Sequence, residues 1–134
     1  GLFRFRLVHN TGAAWGMFGD STFTLGVTSC IVCLAILLVF LLYERLLGHK
    51  ATLLETVALA LVFSGGVGNA IDRFAQAYVV DFIEFTFIDF PVFNIADIGV
   101  TCGFVLLVIG FLLAERAEAA RLAADMEREE AGRD

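Results

Sequence analysis

Charge is scarce along most of this chain. Of 134 residues, 9 are Lys or Arg and 15 are Asp or Glu. Half of the resulting net charge of −6 falls in the last twenty residues. No basic footprint exists, so nucleic acid is excluded as a partner. Cysteine is sparse too. Cys30, Cys33 and Cys102 lie inside apolar runs, which excludes a disulfide framework. "CIVC" has redox or metal spacing, but a helix interior in lipid offers neither thiolate-stabilising charge nor further ligands. The three cysteines therefore read as small apolar residues. There is no inverted repeat and no interrupted mid-membrane helix, which lowers a transport function. The sequence opens on "GLFRFRLVHNTGAAWG", without an initiator Met or a signal peptide. That opening creates the expectation of a segment upstream.

What is present is grease. The chain is 59% hydrophobic with mean hydropathy +0.84, a composition of membrane proteins. A spanning helix needs roughly 20 mostly apolar residues. Ser21–Tyr43 has no charge, Ala51–Ile71 has only Glu55 near its start, and Ile98–Ala114 has none while extending back through Asn94 and Asp97. Lipid cannot satisfy open backbone groups, so helices are expected. Three spans put the ends of the chain on opposite sides. Arg45, Lys50, Arg116, Arg121, Arg128 and Arg133 share one side, against Arg4, Arg6 and Arg73 on the other. That bias places loop Glu44–Lys50 and the tail in the cytoplasm. The expected organisation is an extracytoplasmic β-like segment over 1–20, a transmembrane core over 21–114 with an extracytoplasmic loop at 72–96, and a charged cytoplasmic tail over 115–134.

The outward parts read as short strands. Phe3, Phe5 and Leu7 alternate with Arg4 and Arg6, the two-residue period of a strand with one apolar face. Val80 to Ile88 is aromatic and β-branched on both faces. Together they predict a small sheet or cradle resting on the membrane surface.

The chemistry gathers at the outward ends of the spans. "SGGVGNAIDRF" brings small glycines for close helix approach and then Asn69, Asp72 and Arg73 on one helical face. A second Asn-x-x-Asp, Asn94 and Asp97, opens the last helix. Ionisable groups at membrane depth are functional candidates. Asp72, beside Arg73, is expected in a structural ion pair. Glu84 and Asp89 are expected to be wet, and Glu55 to snorkel. Asp81 and Asp97 remain, and a folded-back loop lets them meet. Two such carboxylates share a proton, which is the arrangement of an aspartic protease. An ion or proton pathway also needs membrane acids, and spacing alone leaves both readings open.

At these residues the chain resembles the lipoprotein signal peptidases, the type II signal peptidases of bacteria. "HNTGAAWG" is similar to the family's Asn-x-Gly-Ala-Ala-aromatic segment, with Trp15 where Phe is usual. "GGVGNAIDR" resembles its Gly-Gly-x-x-Gly-Asn-x-x-Asp-Arg motif, and "VVDFIEF…FPVFNIAD" its Val-Val-Asp-Phe and Phe-Asn-x-Ala-Asp motifs. The likeness runs from about Phe3 to Ala114. It implies an α-helical integral membrane protein of the bacterial cytoplasmic (inner) membrane, with a β-cradle. It implies an aspartic endopeptidase that cuts prolipoproteins before a cysteine carrying diacylglycerol. By motif, Asp81 and Asp97 match the catalytic pair. Asn69, Asp72, Arg73 and Asn94 match the polar residues around it, and Asn10 and Gly12 match a substrate-holding segment. Membrane lipid and globomycin-like inhibitors are the other implied partners, with no metal or organic cofactor. The family has four membrane helices, and the first, with its Asp-x-x-Thr/Ser-Lys motif, is missing from this sequence. A catalytically inactive lipoprotein-binding fragment, or a proton- or ion-linked membrane protein, is the competing expectation. A lipidated substrate further predicts a site open to the bilayer, with Phe82, Phe85 and Phe93 near the acyl chains.

Overall fold

The structure, a computed structural model, describes residues 1–13 and 21–132. The described elements are β1 (Phe3–Asn10), α1 (Thr22–Leu41), α2 (Tyr43–Leu47), α3 (Leu53–Gln76), β2 (Val79–Phe85) and α4 (Ile95–Ala131). Trp15, within the expected segment 1–20, and Arg133 of the tail lie outside the described residues.

Helices α1, α3 and α4 are each long and apolar enough to cross a membrane. The 20 residues of α1 rise about 30 Å, the thickness of a bilayer's hydrocarbon core. Three such helices make this a multi-pass membrane protein. The first span stops short of the expected Tyr43. The helix breaks at Leu42, and the short α2 ends at Gly48 with φ +75°, a left-handed cap suited to glycine.

A capping box starts α3. Thr52 accepts from Glu55 N, and the Glu55 carboxylate reaches back to Thr52 N at 2.8 Å. Glu55 therefore does not snorkel. It is 5% exposed and also faces the buried Tyr43, because capping turns its carboxylate back onto the first turn instead of out to water. At the other end, Ala77 takes φ +62°, where a Cβ is unfavourable, and turns the chain sharply into β2.

Asn94 and Asp97 form the matching capping box of α4. This helix runs unbroken for 37 residues, about 55 Å, well beyond a bilayer core. The tail from Glu115 continues it because Ala, Glu and Arg are strong helix formers.

Small residues hold the spans together. A Cβ on Gly65 would lie 2.3 Å from Ala96 O, and one on Gly103 would lie 2.7 Å from Ala58 O, so α3 and α4 meet backbone to backbone. On the other flank of α3, a Cβ on Gly66 would lie 2.7 Å from Cys33 Sγ. Cys33 is buried there, with its Sγ 3.7 Å from Phe63 O. Central α3 thus packs against both α1 and α4.

Strands β1 and β2 form an antiparallel two-stranded sheet, and Phe93 adds a bridge to Ile83. The register pairs Phe5 with Ile83 and Val8 with Asp81, so Arg6 and Leu7 together face the single residue Phe82. This bulge ends the expected alternation at Arg6, and Leu7 falls out of the apolar series. Glu84 is also not simply wet. Arg4 and Arg6 both donate to it, and the Arg4 hydrogen bond leads in lowering its pKa to about 2.

Candidate active site

The chain has three asparagines, Asn10, Asn69 and Asn94. The fold brings all three together where α3 ends and α4 begins. Asn94, the N-cap of α4, is 5% exposed and uses every polar atom of its side chain. Its Oδ1 accepts from Asp97 N at 3.0 Å, and its Nδ2 donates to Asp81 Oδ1 and to Asn69 Oδ1, each at 2.9 Å. Asn69 Nδ2 in turn donates to Asp97 Oδ1 at 2.8 Å. Asp81 and Asp97 are thus joined through two amides in one network.

The network extends to β1. Asn10 Nδ2 donates to Asp81 Oδ2 at 2.9 Å, and Asn10 Oδ1 accepts from Gly12 N at 3.0 Å. Gly12 is buried, and its carbonyl accepts from Arg73 at 3.4 Å. Arg73 also donates to Asn69 O at 3.4 Å, while its buried Nε has no partner among the described residues. Asp97 Oδ2 accepts from Asn94 N at 3.0 Å. Both oxygens of both carboxylates therefore receive N–H donors, which sets their orientation without neutralising their charge.

Asp81 is 2% exposed. Burial pushes its carboxyl above the usual range, and the Asp97 charge adds to this. The hydrogen bonds from Asn10 and Asn94 and the charge of Arg73 oppose it. On balance the protonated form of Asp81 is favoured more than in a free carboxyl.

The expected Asp72–Arg73 ion pair does not form. Asp72 Oδ2 accepts from Val80 N at 3.1 Å, and Arg73 turns to the Gly12 and Asn69 carbonyls. Neighbours in sequence diverge by about 100° around a helix, so Asp72 meets the start of β2 while Arg73 meets the β1 turn. The eight expected site residues divide accordingly: seven share one network, and Asp72 braces β2 beside it.

A cavity of about 450 Å³ opens on this network. Asp81, Asp97 and Arg73 line it, together with Phe85 and Phe93. Phe82 does not; the strand's alternation turns it to the face opposite Asp81 and Phe85. Ile98, Thr101 and Cys102 also line it and were not singled out by sequence. Their signal was available: Thr101 is four residues after Asp97, and Cys102 four after Ile98, on one helix. Groups of three or more His, Cys, Asp or Glu able to hold a metal are absent among the described residues.

Residues 1–113 match the family described as signal peptidase (SPase) II. Curated relatives named lipoprotein signal peptidase include one from Thermosynechococcus vestitus, 39% identical over 108 residues, covering 81% of this chain and 65% of the relative. Another, from Symbiobacterium thermophilum, is 43% identical over 118 residues, covering 87% of this chain and 74% of the relative. A solved bacterial membrane enzyme superposes with TM-score 0.71 at 34% identity, covering 83% of this chain and 66% of that one. The chain spans just under two thirds of the length of the first of these relatives.

Proposed function

The chain belongs to the signal peptidase II family, and from that premise we propose that it is an aspartic endopeptidase that removes signal peptides from diacylglyceryl-modified prolipoproteins. The observation that carries this reading is the joining of Asp81 and Asp97, through Asn94 and Asn69, at the wall of one cavity.

The two carboxylates take different parts. Asp97 lies in the first turn of α4, where the helix amino end favours negative charge. It is also the more open of the two. Asp97 draws a proton from water, whose oxygen bonds to the scissile carbonyl carbon. Asp81, buried and protonated, gives its proton to the carbonyl oxygen as charge develops there. Collapse of the tetrahedral intermediate returns a proton to Asp81. The C–N bond breaks, and the proton on Asp97 passes to the leaving amine. Asn10, Asn69 and Asn94 hold the carboxylates in place, and Arg73 holds the turn that carries Gly12. Asp72 fixes the start of β2.

The substrate's lipid explains the aromatics. Phe85 and Phe93 wall the cavity beside Ile98, a surface suited to acyl chains, while the cleaved peptide reaches the acids. The site faces the extracytoplasmic side of the bacterial inner membrane, on the charge bias of the loops. Globomycin-like peptides are expected to occupy the same cavity.

The test is cleavage of a diacylglyceryl-modified prolipoprotein compared with the same peptide without lipid. The assay uses this chain and a version extended by the first helix that the family resemblance implies. Cleavage before the lipidated cysteine, at least tenfold slower without lipid, supports the reading. Equal rates on the two peptides sink the lipid role. No cleavage by the extended, folded protein sinks the peptidase.

A further inference from the structure

The sheet and the residues that follow it carry an aromatic surface that runs outward from the cavity. Phe5 is 86% and Phe3 58% exposed, and Phe87 and Phe90 are also exposed. Phe85 ties this patch to the cavity, with ring centroids 5.2 Å from Phe3, 5.5 Å from Phe87 and 5.6 Å from Phe90. Phe3 pairs with Phe85 and Phe5 with Ile83. Directly paired residues share a face, and β2 alternates with a period of two, so Phe3 and Phe5 lie on the face that carries Asp81. That face turns Asp81 toward Asn94 at the head of α4. It turns Phe3 and Phe5 the same way, where large aromatics in water would be costly.

The opposite face is cationic. Arg4 pairs with Glu84, and Arg6 donates to the same carboxylate. Both arginine side chains remain mostly exposed. Two guanidiniums against the Glu84 carboxylate leave one positive charge on the strand pair, with exposed Asp89 in the loop beyond it. Arg73 is held inside the site, so Arg4 and Arg6 are the exposed cations at this end of the spans. Aromatics on one face and arginines on the other form the layering of a membrane interface.

We propose that this part of the sheet is seated in the bilayer interface, with Phe3 and Phe5 among the acyl chains and Arg4 and Arg6 on the phosphates of anionic phospholipid. The seat also sets the depth of the acids. Phe85 and Asp81 are four residues apart on one strand, about 13 Å, so lipid that holds Phe85's neighbours holds Asp81 at a fixed level.

The test reads fluorescence and needs no catalysis, so it stands apart from the peptidase proposal. Trp15→Phe removes the single tryptophan, and Phe5→Trp places a reporter on the strand. Vesicles contain phosphatidylglycerol and phosphatidylcholine, with one or the other brominated on its acyl chains. Brominated chains are expected to quench the reporter. Brominated phosphatidylglycerol is expected to exceed phosphatidylcholine by about fivefold for one net charge. Glu84→Gln doubles the charge and should multiply the preference by about five again. Arg4→Gln with Arg6→Gln should abolish or reverse it. A reporter that neither lipid quenches overturns the seat. Quenching that is equal for both lipids, and the same in all variants, overturns the phosphate contacts. Quenching that appears only when a diacylglyceryl peptide is added assigns the patch to substrate and overturns the proposal. Phe3→Trp supplies a second reporter should Phe5→Trp not fold.

Discussion

Gly65→Ala tests how the fold holds the acids. The added Cβ would lie 2.3 Å from Ala96 O and 2.8 Å from Val100 Cγ2, where ordinary contact begins at 3.4 Å. Both obstacles sit on α4, and the nearer is backbone, which no rotamer change can move. Relief therefore requires α3 and α4 to separate by about 1 Å, as the difference between those distances sets. Asn69, four residues along α3, reaches Asp97 at 2.8 Å, and that separation carries it past hydrogen-bonding range. Overpacking costs about 1–3 kcal/mol, against about 0.5–1 kcal/mol gained by replacing a helical glycine with alanine. The net effect is a loss of stability. Misplacement of about 1 Å at a catalytic group can cost about a hundredfold in rate. Gly68→Ala is the control: its Cβ meets Ala96 Cβ at 3.5 Å, ordinary contact. It should leave cleavage unchanged and raise the melting temperature slightly. The assay is thermal unfolding in detergent together with initial cleavage rates. Gly65→Ala with wild-type melting temperature and rate would refute the reasoning about backbone contact, as would equal damage from both substitutions.

Three further outcomes are expected. Asp81 has its folded pKa raised by burial, so the folded state binds the extra proton. Its contribution is fully present below the ordinary carboxylate value and declines as pH rises through the folded value. The melting temperature should therefore fall with rising pH in that window, and Asp81→Asn should flatten the slope; an unchanged slope would contradict the burial argument. Ala77→Gly relieves a left-handed alanine and should stabilise by about 1 kcal/mol, read as a higher melting temperature. Thr52→Ala removes one half of the α3 capping box and should cost about 1 kcal/mol, measured the same way.

The spans were legible because lipid imposes one simple demand, a long uncharged run, and α1, α3 and α4 each meet it. The site was legible because polar residues are rare in this chain. Asn69, Asn94 and Asp97 stand out against apolar neighbours, and their helical spacing announced shared faces. What failed were readings that assigned a partner by proximity in sequence. Asp72 and Arg73 adjoin yet diverge around α3, and Arg73 reaches Gly12, sixty-one residues away. Glu84 found Arg4 and Arg6 only through the β1–β2 register, which depends on a bulge that no local pattern marks. Glu55 looked like an edge charge because burial by Tyr43 depends on the chain turning back at Gly48. The Arg73 and Glu84 misses concern contacts between elements far apart in sequence, whereas Phe82 was turned away by the period of its own strand and Glu55 by its own capping box.

The most direct test of the dyad compares single-turnover cleavage by the folded protein with that by Asp81→Asn and Asp97→Asn, each in the helix-extended form and each shown to be folded by a cooperative melting transition. The account predicts that either substitution lowers the rate by at least a thousandfold, since each carboxyl has a separate part in moving the proton and neither can replace the other. A folded Asp97→Asn or Asp81→Asn protein that cleaves within tenfold of wild type would contradict it.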